Sequence, residues 1–223
     1  FLDLVCIGTI ADVAPLVDEN RALCAAGLKL LPGTKKAGLR ALLDICDTNG
    51  ALNATDIAYR LAPRLNAVGR MGDATEALEL LLSDDESEAL KLALNLEALN
   101  RQRQREQERT YQEARIQAER LLEEDDCPVL VLSHDGWHPG VVGIVASKIL
   151  EEFSRPAIII VEGDDFCRGS GRSLPGFHLA HAFAACGDLL ERAGGHELAG
   201  GLTLRRDRIP AVRQRLCELA AAC

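Results

Sequence analysis

The chain has 223 residues, 48% of them hydrophobic and 26% charged, with 25 Lys and Arg against 34 Asp and Glu for a net charge of −9. A chain of this size and apolar content hides about 70% of its unfolded surface, which excludes wholesale disorder and any need for a disulfide framework or structural metal in folding. The acidic balance excludes coating of nucleic acid or anionic lipid through bulk charge, so a polyanion has to be met by a local basic pocket. Eight cysteines (Cys6, Cys24, Cys46, Cys127, Cys167, Cys186, Cys217, Cys223) include no C-x-x-C pair and sit mostly in apolar surroundings, the pattern of reduced core thiols. No run approaches the roughly 18 apolar residues of a membrane span, and no signal segment is present, so a soluble, intracellular chain is expected. A start at Phe1, just before an apolar run, reads as a piece of a longer protein.

Residues 3–11 are predicted to form a buried strand because LVCIGTIA is continuously apolar, with Asp12 to Pro15 as its exit loop. A strand without flanking partners would present an edge prone to association. Short amphipathic helices are expected over about 19–31 (closed by Pro32-Gly33), 36–46, 55–61 behind Thr55 as cap, and 74–82. Ser83 and Glu86 match a capping box, which predicts a long helix from there to Asp126, ended by Pro128 and spanning roughly 60 Å at 1.5 Å per residue. Its first half carries Leu90, Leu92, Leu96 and Leu99, whereas Arg101 to Arg109 is nearly all polar, so the middle is expected to cross solvent between two lobes. Glu123 to Asp126 crowds acid at the unfavourable end of the helix dipole.

Beyond Pro128 the pattern alternates: strand 128–133, helix 140–153, strand 156–162, Gly-rich strand 166–173, helix 178–190, strand 199–204 and helix 207–221. Such alternation predicts a sheet with helices packed on it. The fold class is α/β, with a helical region over 1–82, a connecting helix over 83–126 and a sheet domain over 127–223.

Several segments carry chemistry. Asp12, beyond the apolar run, is placed for a metal or a substrate, or else caps a turn. Arg60, Arg64 and Arg70 lie in Ile57 to Gly72 with no acid among them, an anion site or a solvated helix edge. Asn66 and Gly69 fit a turn that brings backbone N–H groups to the same anion. His138-Pro139-Gly140 precedes a helix whose first N–H groups would face a ligand. Trp137 stacks on a base or plugs the core, and Gly140, Gly143 and Ala146 equally suit close helix packing. Arg168 to Ser173 combines glycines, hydroxyls and guanidiniums suited to cradling a phosphate. Gly194-Gly195-His196 adds tight backbone and an imidazole, or a turn with a capping His. Together these favour a phosphate-containing substrate in a cleft between the lobes.

The segments GTIADVAPL (8–16), PRLNAVGRM (63–71), GWHPGVVGIVASKI (136–149), GSGRS (169–173) and GGHELAGG (194–201) follow one another in an order that resembles the bacterial single-strand-specific exonucleases of the DHH phosphoesterase superfamily. The resemblance covers nearly the whole chain. It implies the end of a DHH phosphoesterase domain (1–82), a long connecting helix (83–126) and a mixed-sheet DHH-associated domain (127–223). It further implies a cytoplasmic 5'-to-3' exonuclease that uses Mn²⁺ or Mg²⁺ to hydrolyse single-stranded DNA from a 5' end in recombination and repair. Single-strand-binding protein or a helicase would be its partners, and no membrane is involved. By the same resemblance Asp12 is a catalytic metal ligand. Arg70, Ser170 and Arg172 hold the 5'-terminal phosphate, with Ser173 in the same cradle, and Arg64 and Asn66 shape that pocket. Gly194, Gly195 and catalytic His196 face the scissile phosphate, and Trp137 and His138 lie along the strand's path.

The Asp-His-His triplet, the Asp-x-Asp motif and the further metal-binding Asp of the superfamily do not occur in these residues. The remaining metal ligands would lie outside the chain, which by itself is expected to be inactive, since one carboxylate does not organise the ions that activate water. Two alternatives are a phosphodiesterase for small substrates such as oligonucleotides or cyclic dinucleotides, and a non-catalytic single-strand-binding scaffold.

Overall fold

A computed structural model of the chain describes residues 1–48, 52–124 and 126–222. Asp125 and Cys223, counted above in the acidic helix end and among the cysteines, lie outside the described residues. The first apolar run is a helix, α1 (Leu2–Ala11), and not the strand its continuous hydrophobicity suggests, so the unpaired strand edge expected there does not exist. Its buried residues, Asp3, Cys6, Ile7 and Ile10, have the i, i+3, i+4, i+7 spacing of a helix face. A carboxylate at the first of these positions hides that period in the sequence. Asp3 is tolerated inside because Lys36 Nζ donates to it at 2.6 Å, Thr34 Oγ1 at 3.1 Å and the Leu4 N–H at 3.0 Å. Burial pushes the Asp3 carboxyl up, but the hydrogen bonds from Lys36, Leu4 and Thr34 outweigh it and hold the group below its ordinary value.

Helix α2 (Asp18–Leu30) closes in a 3₁₀ turn at Leu31–Gly33 and is followed by α3 (Ala37–Ile45). The next helix is capped by Asn53 rather than Thr55: the Asn53 side chain accepts from the Asp56 N–H while the Asp56 carboxylate takes the Asn53 N–H. This short α4 (Ala54–Asp56) passes through a π turn, Ile57–Leu61, into α5 (Ala62–Met71), so Asn66 and Gly69 are helical and form no turn. After α6 (Thr75–Leu82) comes α7 (Glu86–Glu124) with 39 residues. Its cap is Asp85, whose carboxylate accepts from the Glu88 N–H at 2.8 Å; Ser83 instead donates to the Asp85 carbonyl, so the capping box read from Ser83 and Glu86 does not form.

The chain divides into two units within α7, Phe1–Arg103 and Gln104–Cys223. In the first, Cys6, Ile7, Leu31, Leu39, Leu42, Ile57, Leu61, Leu80 and Leu96 form the core. Two glycines there allow backbone-to-backbone approach: a Cβ on Gly38 would lie 1.7 Å from the Leu80 carbonyl oxygen, and one on Gly27 would lie 2.4 Å from that of Leu2.

The second unit is a five-stranded sheet of order β1-β2-β3-β5-β4. Strand β1 (Leu130–His134) crosses through α8 (Val142–Phe153) to the parallel β2 (Ala157–Val161), and β3 (Cys167–Arg172) returns antiparallel. Helix α9 (Leu179–Ala185) leads to β4 (Arg192–Gly195), whose hairpin with β5 (Ala199–Leu204) precedes α10 (Ile209–Ala221). The sequence conceals β4, because RAGG has no β-branched or aromatic residue. One face of the sheet packs on Leu179, Phe183, Val212 and Leu216; the other packs on Val145 and Ile149 of α8 and Ala114 and Ala118 of α7. The β1 edge is covered by side chains: Gln117 pairs with both the N–H and C=O of Ser133, and Arg213 donates twice to the Val131 carbonyl.

The seven described cysteines are free thiols, as expected, and burial pushes those of Cys6 and Cys46 up to about 11. Among the described residues no helix is long and apolar enough to cross a membrane.

Two outcomes follow from this packing. Gly38→Ala should destabilise the first unit by about 3 kcal/mol, because backbone must move to admit the methyl, read as faster amide exchange in α3 and α6 together. Asp3 has a depressed folded pKa, so its stabilisation is complete above the unfolded carboxyl's 3.8 and is lost as pH falls through the lower folded value. Asp3→Asn should therefore be less stable at neutral pH and show a shallower loss of stability below about pH 4 in denaturant titrations at stepped pH.

Candidate functional site

Three candidate residues of the first unit, Asp12, Asn66 and Arg70, gather where α1 ends beside α5. Asp12 is the C-cap of α1 and exposed; with Gly8, Ala11, Asn66 and Arg70 it lines an open hollow of about 580 Å³. Asn66 and Arg70 reach it together because they are one helical turn apart on α5. Arg64, only two positions from Asn66, points elsewhere: its Nε donates to Glu97 at 2.6 Å and its Nη1 to the Arg60 carbonyl at 2.6 Å. Arg60 in turn pairs with Asp56 at 3.7 Å. The arginine cluster read from the sequence is thus divided. The acids missing from Ile57 to Gly72 come from outside it, and Arg70 alone of the three lines the hollow.

A second guanidinium stands near Arg70, one that sequence reasoning misses. Arg103 donates to Asn100, which is only 3% exposed, at 2.8 Å. Burial and the positive charge of Arg70 both hold the Arg103 pKa below the usual arginine value. Its signal in the sequence, a basic residue in a polar helical stretch, is shared with Arg101 and Arg105 and does not single it out.

Asp12 is the candidate metal ligand of the sequence. Among the described residues no group of three or more His, Cys, Asp or Glu side chains is placed to hold a metal ion. One exposed carboxylate does not satisfy a hard divalent cation, which takes about six oxygen ligands, so these residues by themselves do not hold the ion.

In the second unit, strand alternation sorts β3 into two sides. Cys167 and Gly171 are buried, and Gly169 and Gly171 face the core side chains Leu202 and Phe183, while Arg168, Ser170 and Arg172 face the side of α8. Arg172 Nη1 donates to Ser170 Oγ at 3.2 Å and to the Gly171 carbonyl at 2.8 Å. Gly143 of α8 lies directly above: a Cβ there would sit 3.1 Å from Ser170 Oγ and 3.3 Å from Arg172 Nη2. Glycine there lets α8 approach the hydroxyl and the guanidinium more closely than a side chain would allow, so the two polar groups lie in a narrow notch beneath it. Gly194 and Gly195 are exposed on β4, and His196 is exposed at the hairpin tip. Gly195 has φ +151°, and a Cβ on it would lie 2.4 Å from the Ala199 carbonyl oxygen, so the turn demands glycine. The hairpin is held by α9: Leu179 and Ala180 N–H groups donate to the carbonyls of Glu197 and His196.

Two residues assigned to substrate, Trp137 and Ser173, are committed elsewhere, and His138 is engaged through one ring nitrogen. Trp137 is 3% exposed, packs in the core and donates Nε1–H to Glu113 at 2.7 Å, so its ring is not open to a base. Ser173 is buried and donates to the Phe177 carbonyl at 2.6 Å. His138 is half-buried, and its Nδ1 accepts from the Gly140 N–H at 3.0 Å, which shapes the loop before α8.

A mixed sheet backed by a long helix is an arrangement shared with known proteins. The family model described as DHHA1 domain matches residues 112–222, and this part of the chain is a DHHA1 domain. The chain as a whole matches part of the RecJ proteins. It is 43% identical to the single-stranded-DNA-specific exonuclease RecJ of Bacillus subtilis over 98% of its own length and 28% of that protein. To the protein of the same name from Thermus thermophilus it is 40% identical over 99% of its length and 32% of that protein. Among solved structures, RecJ from Thermus thermophilus in complex with Mg²⁺ superposes with a TM-score of 0.88 at 39% identity, covering 100% of this chain and 34% of that one. An exonuclease RecJ bound to manganese gives 0.87 at 39% identity, over 100% of this chain and 55% of that one. The chain thus spans about a third of the length of the curated relatives named here.

The Arg64–Glu97 pair is a framework contact with both side chains mostly buried, at 16% and 15% exposure. Glu97→Ala should cost about 2 kcal/mol by leaving Arg64 without its carboxylate, whereas Glu86→Ala, which breaks the exposed pair with Arg40, should cost under about 1 kcal/mol. Denaturant midpoints of the two variants compare them directly.

Proposed function

We propose that this chain is the substrate-gripping part of a metal-dependent 5'-to-3' exonuclease that hydrolyses single-stranded DNA. The observation that carries the reading is the notch in which Arg172 and Ser170 lie beneath Gly143. A terminal phosphate carries up to two charges and three oxygens, so a guanidinium fork beside a hydroxyl suits it. Identity of 40–43% to RecJ exonucleases over nearly the whole chain supports the same reading.

In this reading Ser170 and Arg172 bind the 5'-phosphate, and within the first unit Arg70 and Asn66 bind a phosphate oxygen. Gly194 and Gly195 bring backbone close to the phosphodiester, and His196 at the exposed tip faces the bond to be broken. Asp12 supplies one ligand to the Mn²⁺ or Mg²⁺ that the complete enzyme uses, the other ligands lying outside the described residues. The protein would act in the cytoplasm, in recombination and repair, with single-strand-binding protein or a helicase delivering the strand.

The test is binding of 5'-phosphorylated and 5'-hydroxyl single strands to the 223-residue chain by fluorescence anisotropy. The phosphorylated strand should bind about tenfold more tightly, the size of one charge-assisted contact, and Arg172→Ala should abolish that difference. Equal affinity of the unaltered chain for the two strands overturns the reading.

A further inference from the structure

We propose that the sheet face beside the notch is a second phosphate site, where Arg168 and Arg192 grip an internal phosphodiester of the single strand; this rests on the reading of the chain as a single-strand-binding unit.

The register places the residues. Arg168 on β3 and Arg192 on β4 both pair with Thr203 on the intervening β5, so the three stand in one cross-strand row on the face that also carries Ser170 and Arg172. Neighbouring strands lie about 4.8 Å apart, which puts the two arginine Cα atoms about 10 Å from each other with Thr203 between them. The next row is Ser170, Gly201 and Gly194, almost without side chains. Guanidiniums on either side of a glycine floor therefore bound a shallow hollow of about 400 Å³, lined by Arg168, Gly169, Arg192, Gly194, Gly201 and Thr203.

Charge gives this hollow its preference. Most arginines here are committed: Arg64 to Glu97, Arg115 to Glu152, Arg155 to Asp126, Arg206 to Glu162 and Arg213 to a strand carbonyl. Arg168 and Arg192 are both exposed, and among the described residues neither makes an ion pair or a side-chain hydrogen bond. Keeping two such cations on one sheet face in a chain of net charge −9 favours an anion that bridges them, and a phosphodiester presents two oxygens to two forks. The adjoining hollow, shared by Arg168, Arg192 and Thr203, adds Phe166, 48% exposed, as a ring on which a base can stack, and Glu191, which repels the backbone from the far wall.

Spacing separates this site from the notch. Arg168 is four residues from Arg172 along β3 and on the same face, about 13 Å away, farther than one phosphate group reaches. The second site thus belongs to a strand long enough to extend beyond its first nucleotide.

The test compares thymidine 5'-monophosphate with a 5'-phosphorylated oligothymidylate of about 12 nucleotides, each bound to the full chain across a salt series. The Arg168→Ala/Arg192→Ala variant should bind the oligonucleotide at least tenfold more weakly, and its slope of log affinity against log salt should fall by about 1.4, the value for two phosphate contacts on a single strand. Its affinity for the mononucleotide should be unchanged. Arg168→Lys/Arg192→Lys should keep the salt slope. Unchanged oligonucleotide affinity and slope in the alanine variant, or an equal loss for the mononucleotide, overturns the second site. If the preference for a 5'-phosphate survives while the alanine variant is silent, only this inference falls; if that preference is missing from the unaltered chain, the functional reading itself falls.

Discussion

The two-residue period of β3 is the constraint on which the second unit's surface depends. Its inward positions beyond Cys167 are glycines because the core leaves no room. A Cβ on Gly171 would lie 2.8 Å from Leu179 and 3.2 Å from Phe183, and one on Gly169 would lie 3.0 Å from Ile160 and 3.1 Å from Leu202. Phe183, among the largest fully buried side chains, therefore sits directly on the sheet backbone. The outward positions Arg168, Ser170 and Arg172 are thereby held on a strand paired on both sides, with β2 and β5. Polar groups carried on such a strand keep their spacing without ordering a loop, which lowers the entropy cost of gripping a ligand.

The first unit obeys a different limit, the cost of burying charge. Asp3 goes inside with donors from Lys36, Thr34 and a backbone N–H, and Arg64 is matched by Glu97 at 2.6 Å. These pairs hold α1 to the segment before α3, and α5 to α7. Arg103 is held by Asn100, and burial together with the positive charge of Arg70 lowers its pKa.

Glycine serves opposite purposes in the two regions. At Gly27 and Gly38 it lets helices touch backbone to backbone and is consumed by packing. At Gly143 it lets a helix come close to a hydroxyl and a guanidinium, and at Gly194 and Gly201 it clears a floor between two arginines. The same residue type in the sequence thus marks either a closed contact or an open site, and only the neighbours distinguish them.

Much of the architecture is legible from local pattern alone. The helices from 19 to 46, the long helix, and the strands around Val131, Ile159 and Leu202 follow from periodicity and from Pro and Gly punctuation, because those signals act within a few residues. The GSGRS and GGH segments are likewise visible as phosphate-type motifs. What tertiary structure decided is which side chains remain available. It turned the first apolar run into a helix by supplying Lys36 and Thr34 to a buried Asp3, and it took Arg64, Trp137 and Ser173 out of the binding surface by pairing them with Glu97, Glu113 and the Phe177 carbonyl. It also added β4, which RAGG does not announce and only pairing with β5 creates. Availability depends on partners 4 to 33 residues away along the chain, and on whether a neighbouring strand or helix covers a face. Residue type and local spacing contain neither.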